Sequence, residues 1–145
     1  VTRKITLGLA EWLKSRTPIE LGNLDAKRDW GHAQDYVEAM WLMLQQPKPE
    51  DFVVATGATH SIREFVHLAC TTLGIGVRWV GEGPDETCVE IGTGQVIVKV
   101  NPEFYRPAEV DVLIGDARKA QDQLGWLPKI SFPALVKRMV LNDCK

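Results

Sequence analysis

The sequence predicts an α/β fold. Apolar residues recur at helical spacing in several stretches, and short apolar runs of strand length stand between them. The two signals alternate through the first half, while the second half combines a hairpin with short helices. The strands are too few for a complete doubly wound sheet.

Ile5, Leu9, Trp12 and Leu13 place the first helix at about Thr2 to Lys14. Only Thr2 could cap it, and Val1 alone would precede it. This abrupt start without methionine leads us to expect an N-terminal truncation. Ser15 to Pro18 reads as a loop and Ile19 to Leu21 as a short strand ending in a Gly-Asn turn. A charged segment, Asp25 to Asp29, follows. The next helix begins near His32 or Ala33, with Val37, Met40, Trp41 and Leu44 on one face, and the prolines at 47 and 49 stop it.

Phe52 to Ala55 is a continuous apolar run, which predicts a strand buried on both faces. Ser61 and Glu64 form a capping box for a helix with Ile62, Phe65, Val66, Ala69 and Leu73 inward, closed by Gly74. Val77 to Val80 is a strand and Gly81 to Asp85 a turn. Val89 to Ile91 and Gln95 to Val100 flank Gly92-Thr-Gly94 as a hairpin. Asn101 to Pro107 is irregular. Asp116 is expected to cap a helix ended by Gly125, and Ser131 caps a last helix with Leu135, Val136, Met139 and Val140 inward.

Composition narrows the function. The 145 residues suffice for one domain with a core. With 17 basic and 19 acidic side chains the net charge is -2, and a general nucleic-acid binder would be more basic. The apolar runs are too short to span a bilayer, and no signal-peptide pattern is visible. Three widely spaced cysteines, Cys70, Cys88 and Cys144, form no metal or redox pattern and read as reduced thiols. His32, His60 and His67 have no carboxylate or cysteine at metal-ligand spacing. His67 falls on the exposed side of its helix. Trp30, Trp41 and Trp126 read as core residues.

Arg28 and Arg106 are the main candidates for chemistry. Arg28 sits where a strand hands over to a helix, and Arg106 lies between Tyr105 and Pro107, where the backbone has little freedom. A guanidinium suits bidentate grip on phosphate, and two of them on one pyrophosphate would make an anion clamp. The alternative is structural ion pairing, of Arg28 with Asp25 or Asp29 and of Arg106 with Glu103 or Glu109. Lys4 stands in the first turn of its helix, where a cation opposes the helix dipole. It is either a solvated lysine or one with another task.

The run Leu-Gly-Asn-Leu-Asp-Ala-Lys-Arg-Asp-Trp-Gly-His-Ala-Gln-Asp-Tyr-Val, from Leu21 to Val37, resembles the GDP-mannose 4,6-dehydratase family of extended short-chain dehydrogenases/reductases. The resemblance continues at Val1 to Lys4, Asp51 to Gly57, Tyr105 to Asp111 and Lys119 to Pro128. It covers nearly the whole chain but matches only the C-terminal part of such an enzyme. It implies that residues 1–145 are the nucleotide-sugar-binding portion and that an N-terminal dinucleotide-binding domain is absent. Missing strands would complete a Rossmann-type sheet. Carried to matching positions, Arg28 and Arg106 would hold the nucleotide diphosphate, Lys4 would lie near the nucleotide, and Glu109 would accept a hydrogen bond from a ribose or guanine group.

The implied partners are GDP-mannose, the N-terminal domain and further copies of the full-length enzyme, with neither nucleic acid nor membrane among them. The implied setting is the cytoplasm and GDP-fucose biosynthesis. The implied cofactor is NADP, bound outside this chain. No Gly-x-Gly-x-x-Gly or Gly-x-x-Gly-x-x-Gly follows a strand, so no cofactor-binding residue is expected here. Tyr36 is followed four residues on by Met40 and Tyr105 by Glu109, so the Tyr-x-x-x-Lys pair is absent, and the family's Thr-x-Glu element has no match. No catalytic residue and no metal ligand is expected. The rival readings are a non-catalytic nucleotide-sugar-binding module and an unrelated α/β interaction domain.

Overall fold

The computed structural model describes residues 1–105, 110 and 112–145. The chain divides into two compact units. The first comprises residues 1–26, 61–111 and 136–145, and the second residues 27–60 and 112–135.

In the first unit, helix α1 (Thr2–Ser15) leads into strand β1 (Ile19–Leu21). Its N-cap is Val1, with no side-chain cap, and Arg16 closes it in the left-handed region. Helix α3 (Ile62–Thr72) begins with the expected capping box: Ser61 Oγ accepts from the Glu64 amide, and the Glu64 carboxylate accepts from the Ser61 amide. Strands β4 (Val77–Val80), β5 (Thr87–Glu90) and β6 (Val96–Val100) then form, with order β1-β6-β5-β4 in the sheet. The β4–β5 and β5–β6 pairs are antiparallel, and β1 lies parallel to β6 with Ile19 opposite Val98. The tight loop between β5 and β6 is the glycine hairpin foreseen from the sequence, closed by the Gly94 amide on Glu90 O at 2.8 Å.

The core draws on both helices and the sheet. Ile5, Leu9 and Trp12 on α1, Phe65, Val66, Ala69 and Cys70 on α3, and Cys88, Ile97 and Val98 on the sheet are fully buried. Each large apolar side chain buried this way contributes roughly 1.5–3 kcal/mol. Trp12 Nε1 donates to Val96 O at 2.8 Å, so the indole is buried without losing its hydrogen bond. A Cβ on Gly8 would stand 2.7 Å from Ile19 Cγ1, and the absent side chain lets α1 approach β1. Burial raises the Cys70 and Cys88 thiols to about 12, which keeps them protonated and inert.

The second unit contains strand β2 (Lys27–Arg28), helix α2 (Ala33–Leu44), strand β7 (Val112–Leu113) and helix α4 (Arg118–Leu124). Strand β3 (His60–Ser61) and helix α5 (Phe132–Asp143) run across the boundary between the units. A small sheet has order β3-β2-β7, with β2 parallel to β7 and Arg28 opposite Leu113. The core is Ala39, Ala120, Leu124 and Trp126, with Tyr36, Leu42, Met43, Phe52 and Val54 packed on it. Asp35 is buried on α2, where its carboxylate accepts from the amides of Lys129 and Ile130 at 3.0 Å each and its carbonyl accepts from Trp126 Nε1 at 2.8 Å. Gly125 ends α4 in the left-handed region, as expected. The N-cap of α4 is Ala117 rather than Asp116, whose carboxylate instead accepts from the Arg118 amide. Ser131 Oγ accepts from the Ala134 amide at the start of α5.

Three expectations are corrected. Phe52 to Ala55 forms no strand among the described residues, and Val53 is 53% exposed. A strand buried on both faces needs a neighbour to satisfy its backbone, and among the described residues no strand pairs with this run. Trp41 is not a core residue: with Val37, Met40 and Leu44 it is 59–82% exposed, and α2 buries Asp35 and Ala39 instead. Lys27 and Arg28 form a two-residue strand within a segment read only as charged.

At the C-terminal end of α5, Asp143 Oδ2 accepts from the buried Thr6 hydroxyl at 2.6 Å. That hydrogen bond is the largest cause holding the Asp143 carboxyl below 3.8; loss of hydration opposes it, and Asn142 and Arg3 add to it. The folded chain therefore binds fewer protons here than the unfolded chain. The resulting stabilisation is complete above 3.8 and lost as pH falls through the lowered folded value. Thr6→Val should flatten the acid limb of stability, measured by urea denaturation between about pH 2 and pH 6. An acid limb unchanged by the substitution would show that this bond does not depress the carboxyl.

Candidate functional site

Arg28 stands on β2, and its backbone is held from two sides. The ladder to β7 fixes it on one side. On the other, Asp29 accepts three hydrogen bonds, from the Thr56 amide (3.0 Å), the Thr56 hydroxyl (2.6 Å) and the Gly57 amide (2.8 Å). Gly57 has φ +77°, so the turn that presents its amide suits glycine. Next in the chain, the Trp30 ring stacks on Phe132 at 5.9 Å between centroids, and His60 stacks on Phe132 at 3.8 Å. Arg28, Asp29, Trp30, Leu113, Ile114 and Gly115 line an open groove.

The Arg28 side chain donates from Nη1 to Lys27 O at 2.7 Å. Both carboxylates considered as its partners make other bonds. Asp25 accepts from Arg63 Nε and Nη2 at 3.1 and 3.0 Å, while Asp29 bonds the 56–57 turn. Elsewhere in the second unit, Arg118 pairs with Asp116 at 2.5 Å, Lys119 with Glu50 at 2.9 Å and Lys129 with Glu38 at 2.6 Å. The hydrogen bond from the Arg118 side chain pulls the Asp116 carboxyl down to about 2. A second groove, beyond Gly115, runs past this closed Asp116–Arg118 pair.

Lys4 belongs to the first unit, on the exposed first turn of α1. Its ammonium lies 3.8 Å from the centroid of the Phe104 ring. Arg106 and Glu109 lie outside the described residues. Among the described residues no group of three or more His, Cys, Asp or Glu could hold a metal ion. No described helix is long and apolar enough to cross a membrane. Sequence reasoning weighed Asp29 only as a partner for Arg28. Its role in holding the 56–57 turn depends on a contact across 27 residues, for which the chain carries no local signal. The Phe104 ring under Lys4 was missed for the same reason.

The family model described as GDP-mannose 4,6 dehydratase matches residues 1–139. The chain belongs to the GDP-mannose 4,6-dehydratase family. It is 55% identical over 144 residues to a GDP-mannose 4,6 dehydratase of Drosophila melanogaster, with 99% of this chain and 36% of that protein covered. A GDP-mannose 4,6 dehydratase of Homo sapiens is 52% identical over 146 residues, with 99% and 39% covered. The chain thus spans well under half the length of these curated relatives. In fold it is similar to RMD from Pseudomonas aeruginosa, solved complexed with NADPH. The TM-score is 0.72 at 17% identity, covering 99% of this chain and 41% of that one. Membership of the dehydratase family sets aside an unrelated α/β interaction domain.

Asp29→Ala would remove an acceptor from two backbone amides and a hydroxyl. The expected cost is about 2 kcal/mol or more, read as a lower urea midpoint, with Asp29→Asn falling between. An alanine variant as stable as the parent would show that the 56–57 turn is held by something else.

Proposed function

We propose that this chain is the nucleotide-sugar-binding part of a GDP-mannose 4,6-dehydratase and that Arg28 grips the diphosphate of GDP-mannose. The observation that carries the reading is the placement of Arg28: a guanidinium on a backbone fixed by a strand ladder and by three bonds to Asp29, beside an open groove. A cation so held can be aimed at a phosphate, and bidentate grip adds geometry to charge. Lys4, Arg106 and Glu109 are the further nucleotide contacts that the family resemblance implies.

The reaction proposed for the whole protein converts GDP-mannose to GDP-4-keto-6-deoxymannose with loss of water, in the cytoplasmic route to GDP-fucose. NADP supplies the hydride acceptor and donor when bound. We assign no contact with that group to this chain. Strand β1 runs into Gly22-Asn23 and then β2, and β2 reaches α2 through Asp29 to His32, with no glycine-rich loop at either turn. The contribution of this chain is binding. Energy gained on the non-reacting diphosphate orients the sugar for groups supplied elsewhere in the enzyme.

The rest of the longer enzyme is also the proposed cover for α2. Val37, Met40, Trp41 and Leu44 form one apolar stripe that is 59–82% exposed, and the neighbouring extended run at Val53 lacks a strand partner among the described residues. The dinucleotide-binding domain would bury the stripe and complete the sheet. Assembly of the full-length enzyme into a homo-oligomer belongs to the same proposal.

GDP-mannose and GDP should each raise the melting temperature of the chain, and mannose should not. Arg28→Ala should weaken GDP binding by about tenfold or more, the size of a lost charged hydrogen bond. Equal affinity in parent and variant would count against Arg28 as the diphosphate contact.

A further inference from the structure

Four described cations sit over aromatic rings. Arg16 lies over Trp12, Arg63 over Trp79 and Lys119 over Phe52, at 4.2, 4.6 and 4.7 Å from the centroids. Each of those three is also paired with carboxylate: Arg16 with Glu90, Arg63 with Asp25 and Glu86, and Lys119 with Glu50. Lys4 differs. Its ammonium is closest to its ring, 3.8 Å from the Phe104 centroid, and among the described residues it has no ion pair. The carboxylate whose charge it feels, Glu20, accepts instead from Lys99 at 2.8 Å and from Asn101 Nδ2 at 3.0 Å.

A cation in the first turn of α1 is disfavoured by the helix dipole, and an exposed lysine on four rotatable bonds explores many positions. The face of an aromatic ring offsets the first effect and limits the second. The backbone that carries this ring is itself held. Phe104 ends a tight turn, residues 102–104, in which the Phe104 amide donates to Asn101 O at 3.0 Å and Asn101 Oδ1 accepts from the Glu103 amide at 2.9 Å. The Asn101 amide ties the turn to Leu21 O at 2.8 Å. A Cβ on Gly22 would overlap the Phe104 carbonyl, so glycine there allows the end of β1 to lie against the turn. The ring thus stands on backbone that is held in place, and the lysine reaches it over a long side chain.

We propose that Phe104 is a positioning residue, whose ring face holds the Lys4 ammonium, without neutralising it, for a phosphate group of the nucleotide. The inference rests on the reading of Lys4 as a nucleotide contact. Phe104 itself touches no phosphate, since its ring carries no donor. It acts through Lys4, and its effect must disappear when Lys4 does.

The test is a double-mutant cycle read by calorimetric titration of the chain with GDP and with guanosine. Phe104 is 44% exposed, so Phe104→Leu removes no core contact on which folding depends, and equal melting temperatures check this. Phe104→Leu should weaken GDP about two- to fivefold, Phe104→Tyr should restore it, and guanosine should be unaffected by either. Lys4→Met should weaken GDP, and adding Phe104→Leu to it should cost nothing more. A Phe104→Leu loss that persists in the Lys4→Met background, or that guanosine shares, would overturn the proposal. So would a Lys4→Met loss with no Phe104→Leu loss, which leaves Lys4 as a contact but not Phe104 as its support. GDP affinity unchanged by Lys4→Met would remove the reading beneath the proposal, and absence of GDP binding by the parent chain would remove both.

Discussion

The second unit depends on aspartate carboxylates that accept hydrogen bonds from backbone amides. Asp35 accepts from Lys129 and Ile130, and Asp29 from Thr56 and Gly57. Each closes loop backbone that no sheet or helix ladder satisfies, and an unsatisfied amide at such a position costs roughly 1–3 kcal/mol. The two residues are six apart. They bracket the passage from β2 into α2 and hold the backbone on which Arg28 and Trp30 stand.

This arrangement separates the charges of the segment 25–29 by task. Asp25 and Asp29 are adjacent in sequence to the basic pair Lys27 and Arg28, and a local ion-pair cluster would be the simplest expectation. The structure uses Asp25 to bind Arg63, together with Glu86, and Asp29 to bind a turn. The acidic side chains thus serve the fold. Elsewhere in the second unit Arg118, Lys119 and Lys129 are each paired with a carboxylate.

Much of the fold was legible because its signals are local. The capping box at Ser61, the glycine hairpin at 92–94, the strands at 19–21 and 77–80, and the glycine stop at 125 each depend on a few neighbouring residues. The failures are non-local. The run at Phe52 has the composition of a doubly buried strand but pairs with no strand among the described residues. The stripe of Val37, Met40, Trp41 and Leu44 has the right period, yet periodicity says only that residues share a face, not what covers it. Strands β2 and β7, two residues each, are too short to show a period.

The candidate site follows the same division. Arg28 and Lys4 stood out as candidates from a residue type in an unusual local position and from the family resemblance. What supports them, Asp29 on the 56–57 turn and Phe104 under the ammonium, joins residues far apart in the chain. The central claim is that this chain binds the nucleotide through its diphosphate. The most direct measurement is calorimetric titration with guanosine, GMP and GDP at low ionic strength. The account predicts that affinity rises along the series, with the largest gain at the second phosphate, and that salt erodes that gain. Equal affinity for guanosine and GDP would contradict it.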